Sequence, residues 1–226
     1  MSNNLKLFTL PNIVTIANLA CGFVGIQQVF EGNLQNASYC IYLAAIFDFL
    51  DGFVARLFKS TSELGKQLDS LCDVVSFGAL PGFMVFSLLV EYKWLAILIP
   101  LFSALRLAKF NVDERQSESF RGVPTPMNAL FVSSLTFILN GNIVSPEINW
   151  VLIVLVVFSS LMLVVEMPLI ALKFSTFDFK ANIYKYLLLF LSMVFVVLLK
   201  WDSFVFIYFT YLLFSFLQNI KSNLSK

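Results

Sequence analysis

Apolar runs close to the roughly 20 residues needed to cross hydrocarbon recur along this whole chain, and they leave few folds open to it. They lie near residues 11–30, 36–58, 69–90, 93–111, 125–141, 149–172, 184–200 and 202–219. None has the strict apolar/polar alternation of an outer-membrane barrel strand. Of 226 residues, 59% are hydrophobic and 13% charged, which is more apolar than one soluble core can bury. The sequence therefore predicts an all-α, polytopic membrane bundle of about eight transmembrane helices. With no internal repeat and no long polar linker, residues 1–226 read as one membrane-embedded domain. Met1 to Pro11 lacks the basic region and small-residue cleavage site of a signal peptide, so the first run is expected to stay as a helix, with Pro11 in its first turn.

Charge placement predicts orientation, because short cytoplasmic loops collect Lys and Arg. With eight spans, the side bearing both termini holds Lys6, Arg56, Lys59, Lys66, Arg106, Lys109, Arg115, Arg121, Lys173, Lys180, Lys185, Lys221 and Lys226. Only Lys93 and Lys200 fall opposite. Both termini are expected in the cytoplasm of a prokaryote, beneath its cytoplasmic membrane. A net charge of +1 supplies no field to attract nucleic acid, and no such partner is expected. Cys21, Cys40 and Cys72 form no CxxC and read as small core residues. The chain has no His, which removes the commonest general base and the Ser-His and Cys-His nucleophile arrangements. Chemistry must come from carboxylates, Lys, Arg or a metal.

Four aspartates stand out in this apolar setting. Asp48 and Asp51 are three apart near the cytoplasmic end of the second span, and Asp69 and Asp73 are four apart on the third. Each pair shares a helix face. Two antiparallel helices joined by the short stretch Leu57 to Leu64 would present the pairs to each other. Four like charges so close do not stay ionised unaided, whereas divalent cations between them would hold them so. An all-oxygen donor set suits Mg²⁺ or Mn²⁺, and two such ions can clamp a phosphate for in-line displacement. Gly52 and Gly65 would let a bulky ligand approach the backbone, and Arg56 could neutralise phosphate or orient a carboxylate. A pyrophosphate-bearing substrate at the membrane surface fits this assembly.

The full pattern, Asp48-x2-Asp51-Gly52-x2-Ala55-Arg56-x8-Gly65-x3-Asp69-x3-Asp73, resembles the signature of the CDP-alcohol phosphotransferase family at every position. That resemblance implies a helical membrane enzyme, homodimeric, that transfers the phosphoryl-containing group of a CDP-linked donor to a hydroxyl and releases CMP. It implies two divalent metals, Mg²⁺ or Mn²⁺, on the four aspartates, with Asp73 as general base. Gly52, Arg56 and Gly65 would line the nucleotide site, with Thr15 and Asn18 as weaker additions, since such residues also bond backbone carbonyls.

The acceptor must be read from the flanks. Leu68 to Gly78, Leu105 to Asn111 and Gly122 to Pro126, with Leu10-Pro11-Asn12, Asn18 and Gly22, are similar to the phosphatidylserine synthase branch, over a catalytic core of about residues 10–126. This implies CDP-diacylglycerol and L-serine as substrates. A phosphate-bearing acceptor would call for a cation beside the last aspartate, where Val74 and Val75 stand instead. Arg106 could take the serine carboxylate in a bidentate fork or serve as a positive-inside anchor. Ser76 could touch substrate or metal-bound water, or pack helices. Lys109 reads as a snorkelling residue, and Glu166 either meets the serine ammonium or faces the interface. Glycerol phosphate, inositol, choline or an archaeal lipid donor stay open within the same chemistry. An ion-coupled transporter is a different reading, disfavoured by the missing inverted repeat and the one-sided carboxylates.

Overall fold

The computed structural model describes residues 7–113, 120–140, 145–171, 178–179 and 182–224. Lys6, Arg115, Lys173, Lys180 and Lys226, all counted toward orientation, lie outside the described residues. The described chain is mostly helix. Thr9 caps α1 (Leu10–Phe30) by accepting from the Asn12 amide at 3.4 Å, and Pro11 occupies its first turn. Helix α2 (Leu34–Leu57) returns beside it, and Gly25 lets Cys40 and Leu80 close on the α1 backbone.

The third span starts earlier than expected, at Glu63, because the Ser62 hydroxyl accepts from the Gly65 amide at 3.0 Å and caps it. It runs as α3 (Glu63–Asp73), a π-helical segment (Val74–Ala79) and α4 (Leu80–Leu88). The π segment begins directly after Asp73, and such insertions concentrate at functional sites. It is gripped from two sides. A Cβ on Gly22 would fall 2.5 Å from Ser76 Oγ, and one on Gly78 would fall 3.2 Å from Ser103 Cβ.

A 3₁₀ turn (Lys93–Ile97) leads into α5 (Leu98–Val112). Then come α6 (Thr125–Ile138), α7 (Pro146–Val164), α8 (Ile183–Leu199) and α9 (Ser203–Leu224). Two short strands, β1 (Phe120–Arg121) and β2 (Pro168–Leu169), pair antiparallel. Gly122, at φ +80°, lies against the Leu163 carbonyl, and the Val123 amide donates to Met162 O at 2.9 Å. This fastens the start of α6 to the end of α7.

Among the described residues, five helical stretches are long and apolar enough to cross a membrane: Leu10–Phe30, Glu63–Leu88, Lys93–Val112, Pro146–Val164 and Ile183–Lys221, the last running through α8 and α9. Length and composition thus stop short of the expected eight, because α2 carries Asp48, Asp51 and Arg56 and α6 has only 14 residues. All three tryptophans gather away from the aspartates. Trp94 meets Phe86, Trp150 meets Tyr92, and Trp201 stacks on Tyr42 at 4.8 Å.

Candidate active site

The chain reverses between α2 and α3 through a tight helix ending. Lys59, at φ 50°, donates to Arg56 O at 3.3 Å, and the Ser60 amide reaches back to Ala55 O at 3.0 Å, the pairing of a Schellman turn. This turn and the Ser62 cap set α3 beside α2 with the carboxylates inward. One oxygen each from Asp48, Asp51 and Asp69 lies within 4.8 Å of the others. Asp51 Oδ2 and Asp69 Oδ1 are buried with no hydrogen-bond partner. Asp73, only 5% exposed, stands one turn further along α3. It accepts from Asn18 Nδ2 at 3.1 Å and lies within electrostatic range of Asp48, Asp69 and Asp51.

Crowded carboxylate oxygens without donors are costly in an apolar bundle unless a cation completes them. The donor chemistry fits a hard divalent ion. Beside the cluster opens a cavity of about 180 Å³, lined in part by Thr15, Asp51, Gly52, Gly65 and Asp69.

The two motif glycines do different jobs. A Cβ on Gly52 would meet no protein atom within 4 Å, so Gly52 faces open space. A Cβ on Gly65 would come within 3.2 Å of Ser62 Oγ and 3.3 Å of Asn12 Oδ1, so Gly65 admits the start of α1. Arg56 is not a lining residue; its Nε donates to Gly52 O at 2.9 Å, from an exposed position. Thr15 lines the cavity while its hydroxyl donates to Pro11 O at 3.0 Å. Asn18 stays off the cavity wall and orients Asp73 instead.

Ser60, Thr61, Ser62 and Lys66 also line the cavity and were missed by motif reading. The available signal was three successive hydroxyl residues inside the eight-residue gap between Arg56 and Gly65. Lys66 Nζ donates to Asn111 O at 2.8 Å, joining α3 to the end of α5.

Ser76 is fully buried, and its hydroxyl donates to Asn18 O at 3.0 Å. Of its two expected roles the geometry matches helix packing, and it bears on Asp73 only through Asn18. Arg106 is 6% exposed, its Nη1 donates to Thr125 Oγ1 at 3.4 Å, and its Nε has no partner. Its guanidinium lies 5.7 Å from the Phe110 ring and within electrostatic range of Asp73 and Asp48. Glu166 is ion-paired with Lys109 and, at 3.3 Å, with Arg121. That bridge draws α5 to the strand pair and gives Lys109 a partner that spacing along the chain did not reveal.

Sequence comparison accounts for much of this geometry. The family model for CDP-alcohol phosphatidyltransferase matches residues 8–162, which include Asp48, Asp51, Asp69, Asp73, Arg106 and Thr125. The chain is 36% identical over 153 residues to the archaetidylserine synthase of Methanothermobacter thermautotrophicus, covering 62% of this chain and 64% of that protein. It is 32% identical over 136 residues to a CDP-diacylglycerol–serine O-phosphatidyltransferase of Bacillus subtilis, covering 58% and 77% respectively. For the protein of that name from Methanocaldococcus jannaschii the identity is 35% over 142 residues, covering 62% and 66%. The matched stretch thus takes in less than two thirds of the two archaeal relatives. With Asp51, Gly52, Ala55, Gly65 and Asp69 of the signature lining one cavity, and the family match covering residues 8–162, the chain belongs to the CDP-alcohol phosphatidyltransferase family.

Proposed function

We propose that this protein is a CDP-diacylglycerol–serine O-phosphatidyltransferase, working as a single-domain homodimer in the cytoplasmic membrane of a prokaryote. Eight helices cross the bilayer, and the carboxylates face the cytoplasm. The observation that carries the reading is the carboxylate cluster, in which Asp51 Oδ2 and Asp69 Oδ1 are buried without a partner, together with one buried guanidinium. Relatives whose names specify serine transfer add to it.

Asp48, Asp51, Asp69 and Asp73 would hold two Mg²⁺ or Mn²⁺ ions, which when bound neutralise the pyrophosphate and the attacking and leaving oxygens. The CDP moiety occupies the cavity by Gly52 and Thr15, with Gly65 shaping its wall and Arg56 at its exposed rim. The acyl chains stay in the bilayer. Asp73, fixed by Asn18, takes the proton of the serine hydroxyl as its oxygen attacks the lipid-side phosphorus. The bond to the bridging pyrophosphate oxygen breaks, and CMP leaves. Arg106, oriented by Thr125, binds the serine carboxylate.

Serine fits better than a phosphate-bearing alcohol because Arg106 is the one buried cation among the described residues. Purified protein with CDP-diacylglycerol, Mg²⁺ or Mn²⁺ and labelled serine is expected to yield labelled phosphatidylserine and equimolar CMP. Product from glycerol 3-phosphate or inositol, with none from serine, would overturn the acceptor assignment. The archaeal relative's name supports a second donor, a CDP-linked archaeal ether lipid, and the same assay compares the two.

A further inference from the structure

Asn128 stands one turn after Thr125 on α6, and the two share a helix face. Both are fully buried, yet neither the amide nitrogen nor the amide oxygen of Asn128 has a hydrogen-bond partner. An amide left this way in a helix interior is expensive. On α5, the buried Ser103 hydroxyl, one turn before Arg106, is unpartnered too, as is Arg106 Nε. Thr125 ties these two helices together by accepting from Arg106. Arg106 lies within electrostatic range of Asp73, Ser103 packs against Gly78 of the π segment that follows Asp73, and neither Arg106 nor Asn128 lines the cavity by Gly52 and Thr15.

Resting on the serine reading, we propose that Asn128 is an acceptor-binding residue that recognises the ammonium end of a small zwitterionic amino acid. The chemistry is complementary. The unpartnered Arg106 Nε is free to donate to an anion, which the carboxylate supplies. The Asn128 carbonyl is a free acceptor, which the ammonium satisfies with one of its three N–H donors. The amino acid hydroxyl is then left for Asp73. A neutral amide suits this place better than a carboxylate, which would pair with Arg106 and close the pocket to substrate. Binding of this kind also discriminates strongly, since an acceptor lacking either charged end leaves a buried group unpaired.

The test is the kinetics of Asn128→Ala and Asn128→Leu in detergent, with melting temperature measured alongside. Both variants are expected to raise the serine KM at least tenfold while leaving the CDP-diacylglycerol KM within twofold. Asn128→Leu, which removes an unpaired buried amide without leaving a void, is expected to melt no lower than the wild type. An unchanged serine KM in Asn128→Leu would overturn the assignment, as would an equal rise in both KM values. If the wild type uses no serine but does use another alcohol, the serine reading fails. The recognition of an ammonium then fails with it, and an acceptor-binding role for Asn128 survives only if Asn128→Leu raises that alcohol's KM.

Discussion

Two buried polar regions lie roughly 15–20 Å apart along α2, and the protein completes them in opposite ways. Near the start of α2, Ser38 Oγ sits 2.7 Å from Thr136 Oγ1, Thr136 donates to Ser133 O at 2.6 Å, and Ser133 Oγ donates to Tyr42 Oη at 3.1 Å. Each of these hydroxyls is paired within the protein, and the network joins α2 to α6. Near the end of α2, Asp51, Asp69, Arg106 and Asn128 all keep buried atoms with no protein partner. Paired groups fasten helices where no water competes. Unpaired ones raise the energy of the empty protein and are stabilised when a ligand arrives. Polarity alone therefore does not mark the site, and neither does a lone unpaired hydroxyl such as that of Ser160 or Tyr208; unpaired charged groups brought together do.

Substitutions can break this contrast from either side. The largest effect is expected at Asp73: Asp73→Asn should lower CMP release by about 10²–10⁴-fold, the range typical of a general base. Its melting temperature should stay near that of the wild type, and near wild-type turnover would remove Asp73 from the chemistry. Next, Thr136→Val should destabilise by roughly 1–3 kcal/mol by stranding its partners, seen as a lower melting temperature. Turnover per folded molecule should hold; a loss of turnover without a loss of stability would reverse the assignment of that network. The smallest change is expected for Glu166→Gln, which removes ion pairs at a half-exposed rim. Exposed pairs of this kind contribute about 0.2–1 kcal/mol, so a collapse of stability or turnover would give Glu166 a role it lacks here.

Much of the site is legible in the sequence because helical spacing is rigid: residues three or four apart must share a face, so Asp48 with Asp51 and Asp69 with Asp73 follow from counting. The reversal between α2 and α3 is local as well, since short turns join neighbouring helices. Groups that depend on distant packing are not legible in this way. Ser76 takes its partner from Asn18, 58 residues away, and Glu166 meets Lys109 across 57. The π segment after Asp73 has no simple sequence signal and is held by Gly22 and Ser103 from other helices. Asn128 passes unnoticed in sequence because a buried, unpaired amide cannot be told from a paired one until its surroundings are known.

The account turns on whether the unpaired carboxylates near the end of α2 are completed by divalent cations. Thermal unfolding of the detergent-purified protein, titrated with Mg²⁺ or Mn²⁺ beside Asp51→Asn, measures this without turnover. The wild type is expected to gain about 2.7 kcal/mol at a hundredfold excess over Kd, while Asp51→Asn gains much less. No metal-induced shift in the wild type, or an equal shift in both proteins, would contradict it.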